Sequence, residues 1–476
     1  MLAGCSESEE LALRQSESSQ EGRIDFTVYA SRNTRAGQPG LMDLDALKAD
    51  GAGFGVFAYH TDNSFYDEAR SEANFMYNQP VKWTAGAWAY DPVKYWPNEF
   101  GTNAASRGTD YVSFFAYAPF VDFDPVTGAA PADRWKNITS ASRDNDLGDP
   151  LVRYIVDTNP QTSVDLLWGV AAEAFNGLAP GDPAAPLTEG ACLLNLTKQV
   201  GTGDAIKWRF HHALAKLNVQ IVAAADVPTA DYTPGTNAAN PDVDQFTRVY
   251  LRWIEFNGFA MNGALNLHSG TPLTDGPKPY WRSFDGAGDL KATTVRFNDG
   301  LIDGDEGLTY NRDPNERVLG ALNPDIIESP TTAAGWTSAD KTPGITASAY
   351  VNLFDGADDA ASSVYVIPTG QQVRVKMLYD IETADPKLGK YLSDGKTTGL
   401  RIANEINKTI DGLKFEAGKA YTLKIVVGLE SVKVTAEIAD WGEEYNKEVF
   451  LPGNEVPTQS TIGPFADYDM EDEGTF

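Results

Sequence analysis

Short alternating runs of apolar and polar residues recur along the chain, and the run at 24–30 is the most regular of them. It reads Ile-Asp-Phe-Thr-Val-Tyr-Ala, and a period of two is typical of a half-buried β-strand. Alternate side chains of an extended segment share one face. The apolar face carries Ile24, Phe26, Val28 and Ala30. The sequence therefore predicts a first strand over 24–30.

A basic segment follows this strand. Arg32 and Arg35 precede the run Ala-Gly-Gln-Pro-Gly at 36–40, and glycine and proline at this density indicate a loop. Exposed loops of small and polar residues are where proteases cut. An ordinary first strand and its turn would give the same pattern, so both interpretations stay open at this point.

The remaining periodicity predicts many short strands and little helix. One short helical turn is predicted at 41–47. Strands are predicted at 54–59, 111–119, 163–169, 217–221, 249–256, 364–368, 373–377, 421–427, 432–441 and 447–452. Short strands separated by segments rich in glycine and proline are typical of an all-β protein built from sandwiches.

The run Gly-Thr-Gly-Asp at 201–204 is the candidate boundary between two domains. With 476 residues the chain is long enough for two or three domains. The predicted order is a polar tether at 1–22, a β-sandwich domain at 23–204, a second at 205–445 and an acidic tail at 446–476.

The composition favours an extracellular β-rich protein. The 38 Lys and Arg residues against 67 Asp and Glu give a net charge of −29. A binder of nucleic acid needs a basic face, so we expect no nucleic-acid partner. A hydrophobic content of 42% supports a sizeable core, and 43 Gly and 27 Pro supply turns.

The two cysteines have different predicted roles. Cys192 lies in an apolar run, where a buried thiol is expected. Cys5 ends the run Leu-Ala-Gly-Cys, which resembles the box of bacterial lipoproteins, and a polar tether follows it. We expect lipidation at Cys5, and the alternative is a chance cysteine near a polar terminus. No other segment is long and apolar enough to span a bilayer, so membrane contact is expected only through this anchor.

Candidate catalytic and metal-binding groups are few. His211 and His212 are adjacent, so in a strand they point to opposite faces and are interpreted as structural rather than as ligands of one metal ion. No catalytic motif occurs in a convincing context. We expect neither enzyme activity nor a cofactor, and a carbohydrate-active enzyme is the weakest of three hypotheses. Four acidic residues lie on a glycine-rich loop, and we interpret them as solvated rather than as a calcium site: Asp299, Asp303, Asp305 and Glu306.

An aromatic block lies between 75 and 120. Within it Tyr95 and Trp96 precede Pro97, and exposed rings of this kind suit the face of a sugar. Large aromatic residues more often bury their area, so packing in the core is the preferred interpretation. Glycan or host-protein binding through these rings by an uncleaved surface lipoprotein is the second functional hypothesis.

Four segments resemble the fimbrillin-like proteins of Bacteroidales, which form lipoprotein-derived type V pili. They are FHHALAKLNV at 210–219, the predicted hairpin at 421–441, YWP at 95–97 and FAYAP at 115–119. The resemblance implies two transthyretin-like β-sandwich domains in tandem. It also implies a structural or adhesive pilus subunit at the cell surface, whose precursor is exported, lipidated and carried to the outer membrane as a lipoprotein before it enters the fimbria.

The resemblance further implies how the subunit assembles. An arginine-specific extracellular protease would cut between Arg35 and Ala36, with Arg32 as second choice, and the first strand would leave. A segment of a neighbouring subunit would then fill the opened groove. The implied donor residues are in the tail: Val449, Leu451 and Ile462. The tail ends in a strongly acidic run, which departs from a typical donor and leaves shaft, tip and anchor roles open.

Overall fold

The computed structural model describes most of the chain. The described residues are 22–30, 40–49, 51–62, 64–97, 110–131, 135–173, 187–197, 205–223, 247–268, 279–298, 317–321, 351–354, 362–384, 387, 399–427, 432–440 and 447–449. Within them the protein is all-β, as predicted, with a single short helix. Among these residues no helix combines the length and the apolar character that crossing a membrane requires.

The helix α1 spans Leu44–Lys48, and the strands follow in chain order. They are β1 Phe26–Tyr29, β2 Phe54–Asp62, β3 Met76–Thr84, β4 Ala87–Ala89, β5 Asp110–Ala118, β6 Ile138–Ala141, β7 Leu151–Ile155, β8 Leu167–Ala171, β9 Leu193–Leu196, β10 Ile206–His212, β11 Ala215–Ala223, β12 Thr247–Ala260, β13 Asn262–Asn266, β14 Tyr280–Arg282, β15 Thr293–Asn298, β16 Arg317–Ala321, β17 Val351–Asn352, β18 Val364–Pro368, β19 Gln372–Ala384, β20 Gly399–Lys414, β21 Lys419–Val427, β22 Val432–Asp440 and β23 Lys447–Val449.

The strands form three sheets. The first sheet has the order β1-β10-β8-β5-β2-β3-β4, with β9 beside β5. The second sheet follows the order β16-β15-β12-β18-β11-β21-β22-β23, with β17 paired to β11 and the long β19–β20 hairpin paired to β12. The third sheet has the order β14-β13-β7-β6 and so combines strands from both halves of the sequence.

The chain passes from the first sheet to the second at Ala213 and Leu214, between β10 and β11. Residues from both halves of the sequence form hydrogen bonds to this link. The Ala213 amide donates to the Leu166 carbonyl at 2.8 Å, and the Trp281 indole donates to the Ala213 carbonyl at 2.9 Å. The sheet change therefore lies just beyond the predicted boundary at 201–204, which itself falls outside the described residues. The division into two sandwich domains stays a proposal.

Several predicted elements are confirmed with small shifts of their ends. Asp43 caps α1, since its carboxylate accepts a hydrogen bond from the Ala46 amide at 2.8 Å. The predicted hairpin at 421–441 is the antiparallel pair β21 and β22. The predicted strand at 163–169 begins only at Leu167. Cys192 is buried, as predicted.

Candidate functional site

The first strand is the edge strand of the first sheet. It runs parallel to β10, with Phe26 opposite Ile206 and Tyr29 opposite Arg209. Within the described part of the chain, β10 is its only partner in a strand ladder. An edge strand pairs with a neighbouring strand on one side only, so β1 can dissociate from the sheet by breaking a single ladder of backbone hydrogen bonds.

The predicted alternation of β1 is confirmed by its burial. Ile24, Phe26 and Val28 keep 1%, 5% and 7% of their surface exposed, whereas Tyr29 keeps 47%. Ala30 is partly buried against the same core cluster. Burial of each large apolar side chain contributes about 1.5–3 kcal/mol, so the three side chains together contribute on the order of 5–9 kcal/mol as an upper bound.

Aromatic rings surround the Phe26 side chain. Its ring centroid lies 5.3 Å from that of Tyr90 and 6.2 Å from those of Phe54 and Phe114. Phe54 comes from β2 and Phe114 from β5, so they form the floor below the strand. The space bounded by Phe54, Tyr90, Phe114 and the 206–209 backbone of β10 is termed the β1 groove.

The segment just before β1 is held by a second piece of chain on its other side. The Ile24 amide donates to the Lys94 carbonyl at 3.0 Å, and the Trp96 amide donates to the Gly22 carbonyl at 2.9 Å. Arg23 and Tyr95 form an antiparallel bridge between these two bonds. Residues 22–24 therefore pair with 94–96, and the chain then changes sides to pair with β10.

Tyr90 adds a side-chain hydrogen bond to this arrangement. Its hydroxyl donates to the Ile24 carbonyl at 2.6 Å. Burial raises the pKa of Tyr90 to about 12, so the hydroxyl keeps its proton at neutral pH. No sequence pattern singles out Tyr90 for this role, because it is one of many aromatic residues between 75 and 120.

The two aromatic residues predicted as a sugar platform lie beside the first strand. Tyr95 is 50% exposed. Trp96 is partly buried against the core, with its ring 5.9 Å from and edge-on to that of Phe114. The preferred interpretation, packing in the core, describes Trp96, and ligand binding by the exposed Tyr95 stays a prediction.

The adjacent histidines have separate partners, as their strand position predicts. His212 lies in a buried pair with Asp165, its Nδ1 atom 2.7 Å from Oδ2. The His211 ring lies beside Trp168 in a tilted arrangement, with centroids 6.2 Å apart. Burial, and then the nearby Arg209 charge, lowers the pKa of His211 to about 4. Their different environments fit structural roles for both.

Several predicted site residues lie outside the described residues. These are Cys5, Arg32, Arg35, Ala36, Leu451, Ile462, Asp299, Asp303, Asp305 and Glu306. Of the predicted donor residues, Val449 is at the end of β23, which pairs antiparallel with β22 through Ala436. The short strand predicted at 447–452 is thus confirmed for 447–449.

The arrangement around β1 is that of an all-β protein with a strand-filled groove at a sheet edge. No protein-family model and no curated protein matches this sequence. The comparison with solved structures does find similar chains.

One such structure is a fimbrial protein from Bacteroides vulgatus, at 16% identity and a TM-score of 0.45, covering 88% of this chain and 99% of that one. A second is a candidate cell adhesion protein from Bacteroides uniformis, at 12% identity and a TM-score of 0.34, with 88% of this chain and 98% of that chain covered. A third is the tip fimbrial protein Mfa3 from Porphyromonas gingivalis with C-terminal truncation, at 11% identity and a TM-score of 0.20. The match covers 82% of this chain and 95% of that chain. At these low identities and scores the likeness carries no argument about function.

Proposed function

We propose that this protein is a structural or adhesive subunit of a cell-surface fimbria, and that β1 is a removable plug of the groove it fills. One observation carries the proposal. The segment at 24–28 at a sheet edge places Ile24, Phe26 and Val28 in the core, and among the described residues its backbone pairs only with β10 and with 94–96. Such a strand seals a hydrophobic groove, and its removal leaves alternate pockets open beside a free backbone edge.

The proposed trigger is a cut by an arginine-specific extracellular protease after Arg35, or after Arg32. Both arginines lie between two anchored points of the chain. On one side is β1, and on the other the Gly40 carbonyl accepts a hydrogen bond from the Asp165 amide at 3.0 Å. In the intact chain the linker keeps β1 at a high effective concentration beside its groove. After a cut β1 is held only by noncovalent contacts, so dilution and competition can remove it.

The proposed occupant of the open groove is a segment from another pilus subunit. The groove offers backbone pairing along β10 and pockets spaced two residues apart, so an occupant needs apolar residues with that period. Val449 and Leu451 have this spacing, and Ile462 lies further along the tail. Because β23 pairs with β22 within the chain, a donor tail would first have to leave that ladder.

The proposed location is the cell surface, with the precursor anchored in the outer membrane through a lipid on Cys5. Acyl labelling that disappears in a Cys5→Ser precursor would test the anchor. Adhesion to a host surface ligand is a further part of this proposal, and the exposed Tyr95 is the first position to examine for it.

A reversible staple between β1 and β10 tests the plug directly. Thr27 and Lys207 are paired residues in the β1–β10 register, so a Thr27→Cys, Lys207→Cys variant can join the two strands by a disulfide. After digestion with an arginine-specific protease, we expect the oxidised variant to retain β1. Added reductant should release β1 and allow a synthetic peptide of the tail, residues 446–465, to bind.

Matched controls separate the steps of this mechanism. An Arg32→Gln, Arg35→Gln variant should resist the protease in the 31–39 segment and retain β1 with or without reductant. Release of β1 without binding of the tail peptide would show that the tail is not the donor segment. It would still support β1 as a removable strand. Retention of β1 by the cut, reduced chain would contradict strand exchange and favour an uncleaved surface protein.

A further inference from the structure

A second cluster of chemically capable side chains lies away from the β1 groove, where β7 and β13 pair antiparallel. In that register Asn266 is opposite Leu151, and the Leu267 amide donates to the Pro150 carbonyl at 3.0 Å. One step further, His268 comes beside Asp149, and the His268 Nδ1 atom lies 3.0 Å from Asp149 Oδ1. The sheet register therefore places an imidazole and a carboxylate together from distant parts of the sequence.

Neighbouring groups fix both side chains. The Asn266 amide donates to Asp149 Oδ2 at 2.7 Å, and its oxygen accepts from the His268 amide at 2.8 Å. The Tyr66 hydroxyl donates to Asp149 Oδ1 at 2.8 Å. The His268 ring packs against two aromatic rings, with centroid distances of 5.6 Å to Tyr66 and 5.9 Å to Phe115. Side chains held this firmly cost little entropy when they bind a ligand.

A third candidate ligand, Glu68, comes from the loop between β2 and β3. The loop approaches closely because position 148 is glycine, where a Cβ atom would lie 2.8 Å from the Glu68 carbonyl oxygen. The Gly148 amide also donates to the Ser71 carbonyl at 2.8 Å. One ligand atom each from Glu68, Asp149 and His268 lies within 4.8 Å of the others.

We propose that Glu68, Asp149 and His268 bind a divalent transition-metal ion of the zinc type. One imidazole nitrogen and two carboxylate oxygens are a donor set that zinc accepts, whereas calcium and magnesium prefer oxygen alone. The 3.0 Å separation of the His268 and Asp149 atoms is close to the edge of about 3.3 Å in a tetrahedron with bonds of about 2.0 Å. Glu68 is exposed, so its side chain can swing to complete three ligands.

The hydrogen bonds to Asp149 form the outer shell that such a site requires. Ligating carboxylates are oriented by groups that do not touch the metal, and Tyr66 and Asn266 occupy that position here. A bound ion would join the 64–71 loop, the start of β7 and the end of β13. It would thereby connect the two halves of the sequence at the third sheet. The proposal does not depend on strand exchange.

Calorimetric titration of the chelator-treated full chain with zinc chloride tests the site. We expect one saturable site that is lost in His268→Gln and in Asp149→Asn. Tyr66→Phe removes only an outer-shell bond and should weaken zinc binding about 10–100-fold. Glu68→Gln changes an exposed side chain, so it should fold normally and still lose affinity. His60→Gln and Asp122→Asn are matched controls elsewhere on the chain and should bind as the wild type does.

Thermal unfolding gives a second readout, because an ion that binds only the folded state raises the melting temperature. Zinc should raise the melting temperature of the wild type and of His60→Gln, but it should not raise the melting temperature of Glu68→Gln. Failure of the wild type to bind zinc would overturn the proposal. Zinc binding unchanged in both Glu68→Gln and His268→Gln would also overturn it, because the ion would then lie elsewhere. Binding of calcium in preference to zinc would overturn the assigned metal class.

Discussion

The Tyr90 hydroxyl and the Ile24 carbonyl are joined by a hydrogen bond of 2.6 Å that fastens the entry of the first strand to the segment after β4. The same hydroxyl lies 3.3 Å from the Lys94 carbonyl and 3.3 Å from the Lys94 amide. One buried oxygen thus links the first strand to the turn that covers its other side. Any release of β1 has to break this contact.

Loss of this hydroxyl should loosen the first strand. In Tyr90→Phe the Ile24 carbonyl loses a donor, at a cost of about 1 kcal/mol. A labelled peptide of residues 22–35 should bind the cut, β1-depleted variant about fivefold more weakly than it binds the wild type. Fluorescence anisotropy measures this directly.

Tyr77→Phe is the matched control, since that hydroxyl donates to the Ser142 carbonyl at 2.9 Å and the ring packs against the other core cluster. Equal peptide affinities of the two variants would contradict a specific role for Tyr90.

The buried face of β1 should determine the affinity of the strand for its groove. Phe26→Ala removes a side chain that is 5% exposed, and such truncations cost about 3–5 kcal/mol. Placed in the 22–35 peptide rather than in the chain, the change should lower the affinity more than about a hundredfold. Tyr29→Ala in the same peptide should change it little, because Tyr29 is 47% exposed. Comparable losses from both peptides would show that the alternation does not govern binding.

Gly40 should be intolerant of a side chain because of both its backbone and its neighbour. Its φ is +72°, and a Cβ atom there would lie 2.0 Å from the Ser163 carbonyl oxygen. Gly40→Ala should therefore destabilise the protein by about 3 kcal/mol or more, measured by urea unfolding. Gly86→Ala is the control: φ is +86° but no atom lies within 4 Å, so only about 1–2 kcal/mol of backbone strain is expected. Similar costs for the two variants would remove the contact with Ser163 from the explanation.

His211 should make stability fall as the pH falls below neutrality. Its pKa is lowered from 6.5 to about 4 in the folded protein. Between these values the unfolded chain binds a proton that the folded chain does not, so stability is lost as the pH falls through this window. From pH 6.5 to 5 the loss from this group is about 2 kcal/mol.

Unfolding of the wild type and of His211→Gln, followed by denaturant at each pH, measures this contribution. The stability difference between the two proteins should change across the window, whereas the carboxylates titrate alike in both. A difference that stays constant from pH 6.5 to 5 would show that His211 is not held neutral.

The sequence predicts which face of a strand is buried, but it does not predict which strand lies beside it. Alternation identified the buried side of the first strand, and the helical turn predicted at 41–47 overlaps α1. Periodicity does not encode which strand lies alongside, so the parallel pairing of β1 with β10 could not be read from it.

The pair of Asp149 and His268 shows the same limit. Neither residue belongs to a recognisable sequence motif, and only the register between β7 and β13 brings their side chains within 3.0 Å. Likewise Tyr90 had no distinguishing neighbour in sequence. A hydrogen bond between residues that are distant in sequence produces no periodic or motif pattern around either residue. These contacts are therefore visible only in the folded structure.

The first strand and β23 lie in different sheets, and this separation has a consequence for symmetry. If the tail of one copy fills the β1 groove of another, the two surfaces in contact are unlike each other. Such heterologous contacts do not close into a twofold dimer and instead propagate from copy to copy. Each added copy would then present the same unfilled surface as the one before it, so growth has a direction and its length is limited only by supply or by a terminating subunit.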